Sequence, residues 1–340
     1  MVTLAQVAEV AGVSSSTVSY VLSGKRAISP PTRERVEKAI EALGYHPNAG
    51  ARALAGKRSH IIALVVPLRT DVYVPVMMEI ALAVTVAARR HGYDVLLLTN
   101  DEGPAGLRRV AGSGLADGVI LMDVQLDDPR IAVLRENNSQ ATLIGLPADA
   151  SGLVCVDHDF ARAGALCAEH LADLGHREVA FIGYAPTVYQ RHSGYAERTI
   201  VGFREAARHQ GLRVVHRPCE GTFKSTAGAL ARILADRPGT TGFVVQNEGA
   251  IGPLLSLLRT SGRVVPDDAS VVVLCPEQLA EQHSPQLTAV TGSARELGSR
   301  AVDLLMSQLD GRPKEEVVLL RPVLTARESS GPVRSPETHE

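Results

Sequence analysis

Residues 3–22 read Thr3-Leu-Ala-Gln-Val-Ala-Glu-Val-Ala-Gly12-Val-Ser-Ser-Ser-Thr-Val-Ser-Tyr-Val-Leu22. Thr3 and Gln6 have the spacing of a capping box, in which each side chain satisfies an otherwise orphaned backbone N–H. Leu4, Val7, Ala8 and Ala11 recur at helical spacing, and Gly12 stops the helix. Ser14 caps a second helix whose inward residues are Thr17, Val18, Val21 and Leu22, so the intervening break is a tight turn. Further along, Ser29-Pro30 starts a third helix, with Ser as N-cap and Pro at the first helical position. Its apolar stripe is Val36, Ala39, Ile40 and Leu43, closed by Gly44. Three short helices with a tight turn between the first two make a helix-turn-helix, whose second helix lies in a DNA major groove. Here that helix presents Ser15, Ser16, Ser19 and Tyr20 opposite its core stripe, and short hydroxyl side chains reach base edges or phosphates without steric cost. The helix pattern alone also fits a three-helix module that binds protein.

Charge separates this segment from the rest of the chain. Residues 1–58 carry eight Lys and Arg against four acids, while the remaining 282 carry 27 against 33. A basic head on an acidic body suggests that the head alone meets a polyanion. At 340 residues the chain exceeds one compact core, so two or three domains are expected. With 45% hydrophobic and 21% charged residues the composition is globular, neither disordered nor collagenous. No run of 18 apolar residues and no signal-peptide pattern is present, which predicts a soluble, cytoplasmic protein. The four cysteines, at 155, 167, 219 and 275, form no CxxC pair, so neither a zinc ribbon nor a disulfide framework is indicated.

From His60 onward short apolar runs alternate with amphipathic helices. Strands are predicted at Ile61–Val66, Asp94–Leu98, Gly118–Met122, Thr142–Leu146, Val179–Ile182, Arg213–Val215, Gly242–Val245, Ser270–Leu274 and Val317–Leu320. Helices are predicted at Val76–Arg90, Arg162–Leu174, Thr199–His209, Ser225–Leu234, Ala250–Arg259 and Arg295–Gln308. Such alternation predicts parallel sheets covered on both faces, and the strand count exceeds one sheet. Ligands of these sheets sit beyond the strand C-termini. Asp71 and Tyr73 follow the first strand, Asp123 follows Gly-Val-Ile-Leu-Met, Asp157 follows Leu-Val-Cys-Val, and Asn247-Glu248 ends Phe-Val-Val-Gln. For each lone carboxylate a solvated loop is the alternative to a ligand contact.

Tyr45-His-Pro47-Asn48 and the short segment Ala49–Ala55, together with Thr3-Leu-Ala-Gln-Val-Ala and Val13-Ser-x-x-Thr-Val-Ser19, resemble the lactose-repressor (LacI/GalR) family of bacterial transcription regulators. So do His170-Leu…Leu174-Gly-His-Arg-Glu-Val-Ala-Phe-Ile182, Gly202-Phe-Arg-Glu-Ala206 and Pro322-Val-Leu-Thr-Ala-Arg-Glu-Ser329, and the resemblance runs from residue 3 to about 330. It implies a hinge helix that folds only on operator DNA and a Leu that wedges into the minor groove; Leu54 stands at that position, with Asn48, Ala51 and Arg52 beside it. Wedge insertion unstacks a base step and bends the duplex. Thr3, Leu4, Ser14, Ser15, Ser16, Thr17, Ser19, Tyr20 and Ser29 complete the implied DNA-binding set. The family usually has Arg where this chain has Tyr20, so the base read there should differ. Lys25 and Arg26 either supply phosphate contacts or form a solvated loop.

The resemblance also implies a two-lobed body like that of a periplasmic sugar-binding protein. The expected fold is thus an all-α helix-turn-helix head on an α/β body of two doubly wound parallel sheets. The head spans 1–45, and hinge and linker span 46–58. The body spans 59–328, with an N-lobe of about 59–158 and 290–321 and a C-lobe of about 159–289 and 322–328. The chain crosses near 158, 289 and 322, and the polar residues 329–340 form a disordered tail. Phe223 matches a ring that stacks on ligand, with core packing as the alternative. Thr199 stands where the family has an effector-binding Arg, and Arg198 lies one step earlier. Val273-Leu-Cys-Pro276 replaces a turn bearing a sugar-binding acid, for which Glu277 is the substitute. The loop Tyr189–Tyr195, with Tyr189 and Arg191, offers compensating donors and rings; there is no Trp.

The function these readings imply is a homodimeric DNA-binding regulator, a repressor on a palindromic operator, with a small carbohydrate effector between the lobes and the helix Val76–Arg90 in the dimer surface. A regulator with a lost or non-sugar effector site and a sugar-binding receptor are the alternatives. No GxGxxG, GxSxG, P-loop or HExxH motif is present, and Asp157-His158-Asp159 on an extended segment point to opposite faces. No catalytic residue, metal or cofactor is expected.

Overall fold

The computed structural model describes residues 2–23, 26–45, 58–100, 102–312 and 316–333. Lys25 and the hinge positions Asn48, Ala51, Arg52 and Leu54 lie outside them. In the head, α1 (Leu4–Ala11), α2 (Ser15–Ser23) and α3 (Pro30–Leu43) enclose a core of Val7, Ala8, Ala11, Val18, Val21, Val36, Ala39 and Tyr45. Both halves of the Thr3–Gln6 capping box form, and Gly12 and Gly44 end their helices in the left-handed conformation that favours glycine. Ser14 Oγ accepts from Thr17 N at 3.2 Å, as a cap should. Ser29 departs from expectation: it occupies the N-cap position of α3, but its hydroxyl donates to Thr32 Oγ1 instead of capping the backbone.

The body contains two six-stranded sheets. The first has the order β11-β5-β4-β3-β1-β2 and is parallel throughout; the second has the order β12-β10-β9-β8-β6-β7, with only β12 antiparallel. Their strands are β1 (Ile61–Val65), β2 (Asp94–Leu98), β3 (Gly118–Leu121), β4 (Ala141–Ile144), β5 (Val154–His158), β6 (Glu178–Gly183), β7 (Arg213–Pro218), β8 (Gly242–Val245), β9 (Ser270–Leu274), β10 (Thr288–Thr291), β11 (Glu316–Leu320) and β12 (Val323–Thr325). The chain therefore changes sheet after His158, after Thr291 and after Leu320. Apolar clusters cover both faces of each sheet, as parallel sheets require.

Strands β5, β10 and β12 are not evident from the sequence pattern. Each is short or interrupted by polar residues, such as Asp157-His158 in β5 and the buried Thr288 in β10. The helices at Gly103–Ser113 and Pro129–Glu136 are equally hidden; glycines and a proline at positions 103, 104, 106 and 112 mask the pattern of the first.

Two helices of the C-lobe, Phe160–Asp173 and Gly194–His209, pack with almost no gap. A Cβ on Gly202 would lie 2.0 Å from Ala161 O, and one on Gly164 would lie 2.1 Å from Thr199 O. These glycines let the backbones touch, which brings Phe160 and Tyr195 to the same rim of the C-lobe sheet.

The expected disordered tail is corrected for its first part. Ser329 is fully buried, Val271 N donates to Ser329 O at 2.7 Å, and Val333 N donates to Leu174 O at 3.0 Å. These bonds fasten the segment to the second sheet and its covering helix, so the C-lobe reaches at least residue 333.

Candidate functional site

On the head, Ser15 and Ser16 are exposed and Thr17, Ser19 and Tyr20 half-buried. Val18 and Val21 anchor the opposite face of α2 in the core, which fixes the rotation of the hydroxyl-bearing face. Ser14 Oγ lies 2.9 Å from both Ser16 Oγ and Thr17 Oγ1. Arg26 does not point away as a free loop cation: its guanidinium sits 6.0 Å over the Tyr20 ring, a cation–π arrangement. Leu4 is half-buried against the head core, and Thr3 is occupied as a cap.

A cavity of about 170 Å³ lies between the lobes beyond the C-terminal ends of the strands. Of the predicted effector residues, Tyr73, Asp123, Asp157 and Glu248 line it. Asp123 is paired with Arg69 and has a left-handed backbone (φ 52°); its Oδ1 is buried without a hydrogen-bond partner. Asp157 lies at the end of β5 and Glu248 follows β8, so the two face the cavity from opposite lobes. Burial pushes both carboxyls up to about 7, against which Asp157 has the field of Arg198 and Glu248 only hydrogen bonds, one of them from Tyr184. His158, beside them, is pushed down to about 4 by burial.

Asp71, Arg191 and Arg198 hold the site's frame. Asp71 receives hydrogen bonds from Arg191 and Thr187 of the opposite lobe; these outweigh burial and hold its carboxyl below the ordinary range. Arg191 Nε and Nη2 are buried and unpartnered. Arg198 spans the lobes too, donating to Leu146 O at 2.6 Å and Pro147 O at 3.2 Å. Leu126 N donates to His192 O at 2.8 Å, and Gln125 bridges Ser193, so a backbone strap runs across the same edge.

Four predicted residues do not come together at the cavity. Phe223 opens the helix Phe223–Asp236 with 57% of its surface exposed, which excludes core packing, and it does not line the cavity. Asn247 is spent on its own turn, donating to Cys219 O at 2.6 Å and accepting from Gly249 N at 3.0 Å. Glu277 pairs with Arg327 and accepts at 3.4 Å from Oγ1 of Thr291, a lining residue, without itself lining the cavity. Tyr189 packs in the core and donates to Gln246 Oε1 at 3.1 Å. For Asn247, Glu277 and Tyr189 these captures come from Cys219, Arg327 and Gln246, all far away in sequence and invisible to local pattern.

Tyr195, which ends the predicted loop, lines the cavity, as do Tyr184, Phe160 and Gln246, which the sequence reading does not single out. Tyr184 and Gln246 immediately follow β6 and β8, so the strand-end rule applied to every strand would have found them. Tyr184 and Tyr195 meet edge to face at 5.4 Å, and Tyr195 lies 6.0 Å from Phe160. Among the described residues no group of three or more His, Cys, Asp or Glu is placed to hold a metal ion, and no helix is long and apolar enough to cross a membrane.

Comparison with known proteins agrees with this architecture. Residues 3–48 match the family described as bacterial regulatory proteins, lacI family, and residues 168–330 match the periplasmic binding protein-like domain. The HTH-type transcriptional regulator CelR of Thermobifida fusca is 33% identical over 338 residues, covering 96% of this chain and 98% of its own. The solved CelR–cellobiose complex superposes with a TM-score of 0.67 at 30% identity, covering 97% of this chain and 100% of that one. The Lac repressor dimer bound to operator and the anti-inducer ONPF gives a TM-score of 0.83 at 25% identity, covering 97% and 99%.

Proposed function

Because the chain belongs to the LacI family of bacterial regulatory proteins, we propose that it is a homodimeric repressor that reads a palindromic operator and binds a small carbohydrate between its lobes. It is a DNA-binding transcription regulator. Two-fold symmetry in the protein requires two-fold related contacts on the DNA, with α2 of each head in a major groove and Leu54 of each chain the proposed minor-groove wedge.

The helix Val74–Arg90 supports the dimer. Val74, Met78, Leu82 and Val86 recur every four residues and are 38%, 40%, 63% and 54% exposed, an apolar stripe facing away from the N-lobe core. Four large apolar side chains in one row are what a second copy of the same helix would cover.

The observation that carries effector control is the seam between the lobes. Polar contacts close it at Asp71–Arg191, Arg198–Leu146 and Leu126–His192, each formed between groups from different lobes. Such contacts exchange with water at small net cost, so a ligand bridging Asp157 and Glu248 shifts lobe closure by its differential affinity for the two states. The unpartnered Asp123 Oδ1, in the cavity lining, suits a sugar hydroxyl, which can donate to it. CelR, of similar build, is known in complex with cellobiose.

The test is a mobility-shift titration on operators selected from a randomised pool, repeated with a panel of mono- and disaccharides. The expected result is a palindromic selected site and at least one sugar that changes its affinity. A non-palindromic site, or DNA affinity indifferent to every saccharide, would contradict the corresponding half of the proposal.

A further inference from the structure

The cavity holds more negative than positive charge once its ion pairs are assigned. Of the lining acids, Asp123 is matched by Arg69, Asp157 lies in the field of Arg198, and Glu79 is exposed to solvent. Glu248 makes no ion pair among the described residues. Its carboxylate accepts from Tyr184 Oη at 3.2 and 3.4 Å, and the neighbouring groups that sense it are the Cys275 thiol and the Tyr184 and Tyr195 phenols, none of them cationic. The residue is 9% exposed, its accessible side facing the cavity. A buried carboxylate without a counter-ion is costly, and the cost falls when a cation arrives or when the group takes a proton.

The wall beside Glu248 suits a cation. Tyr184, Tyr195 and Phe160 form a chain of edge and tilted ring contacts at 5.4 and 6.0 Å, and π faces attract ammonium groups. Asp123, whose Oδ1 is buried without a partner, lines the same cavity. A buried acid without an ion pair, aromatic rings beside it and the unused Asp123 Oδ1 together describe a hydroxylated ligand with a positive charge at this wall.

We propose that the effector is an amino sugar, its protonated amine held by Glu248 with Tyr184 orienting the carboxylate. This rests on the reading of the interlobe cavity as a carbohydrate site and names the member of that class. A neutral sugar leaves the Glu248 charge unmatched; an amino sugar of the same shape neutralises it. Because Glu248 is partly protonated before the amine arrives, binding expels a proton.

Isothermal titration of the full-length protein at mildly acidic pH, where the sugar amines already carry their proton, decides the matter, using D-glucosamine against D-glucose and the chitosan disaccharide against cellobiose. The expected result is that at least one amine binds about tenfold or more tighter than its neutral partner, a difference of about 1.4 kcal/mol. The enthalpy should vary with buffer ionisation because a proton is released. In Glu248→Gln the amine should lose that advantage over its neutral partner. If this variant fails to fold, Tyr184→Phe is the second probe, and a selective loss of amine affinity is expected. Neutral sugars binding as tightly as amines would overturn the inference and leave the carbohydrate reading standing. Amine affinity untouched by Glu248→Gln, or free of proton exchange, would overturn the role of Glu248. No binding of any of the four would overturn both.

Discussion

Replacing Glu248 with Gln should stabilise the protein in alkaline solution and leave it unchanged in acid. The folded chain holds the Glu248 proton up to a pKa of about 7, against 4.5 for the free side chain. A group whose folded pKa is raised contributes stability that is complete below the unfolded value and disappears as pH climbs through the folded one. Each tenfold change in a proton's affinity is worth about 1.4 kcal/mol, so between about pH 4.5 and pH 7 the native state loses up to about 3 kcal/mol at this position. Gln has the shape of the protonated acid, keeps an oxygen for the Tyr184 hydroxyl and never ionises. Asp157 adds a parallel loss in both proteins, so it cancels in the comparison. Urea denaturation of the C-lobe transition at about pH 5 and about pH 8 measures the difference. At about pH 5 the two curves should agree within roughly 0.5 kcal/mol; at about pH 8 the variant should gain about 2–3 kcal/mol. An equal offset at both pH values, or a variant weaker at the higher one, would refute the idea that burial of an unpaired charge sets this carboxyl.

Other parts of the structure give sharp expectations. Gly202→Ala forces a methyl to within 2.0 Å of Ala161 O and should cost about 1–3 kcal/mol or more in urea denaturation, whereas Gly228→Ala, with nothing within 4 Å, should be neutral or stabilising by about 0.5–1 kcal/mol. Leu82→Asp places a charge in the centre of the exposed stripe and should shift sedimentation from dimer to monomer with secondary structure retained. Leu54→Ala should weaken operator binding sharply without altering effector affinity, and Tyr20→Arg should change base preference at one position of each half-site; an unchanged profile over randomised operators would remove Tyr20 from the base-reading set.

The parts of the fold that were legible in the sequence are those set by neighbours a few residues away. The Thr3–Gln6 capping box, the Gly12 and Gly44 helix stops and the head's apolar stripes depend on local hydrogen bonds and helical period, and they form as read. Strands written in continuous Val, Ile and Leu were equally plain, while β5 and β10 were hidden because their polar residues are satisfied or buried by distant partners. The site divides along the same line. Asp123, Asp157, Tyr73 and Glu248 reach the cavity because strand C-termini must open onto it, a topological rule. Glu277 and Asn247 were drawn away by Arg327, 50 residues distant, and by the Cys219 carbonyl, 28 distant. Ser329 was read as part of a polar tail because its partner, Val271, lies 58 residues upstream.

Two heads reading DNA as a symmetric pair, under the control of a ligand between the lobes, are the centre of this account. Hydroxyl-radical footprinting of the full-length protein on its selected operator, with and without the bound saccharide, tests that claim most directly. Two half-site footprints related by a dyad, one helical turn or a multiple of it apart, with protection at the central step and a saccharide-dependent change in both together, are predicted. A single asymmetric footprint, or a symmetric one that no saccharide alters, would contradict it.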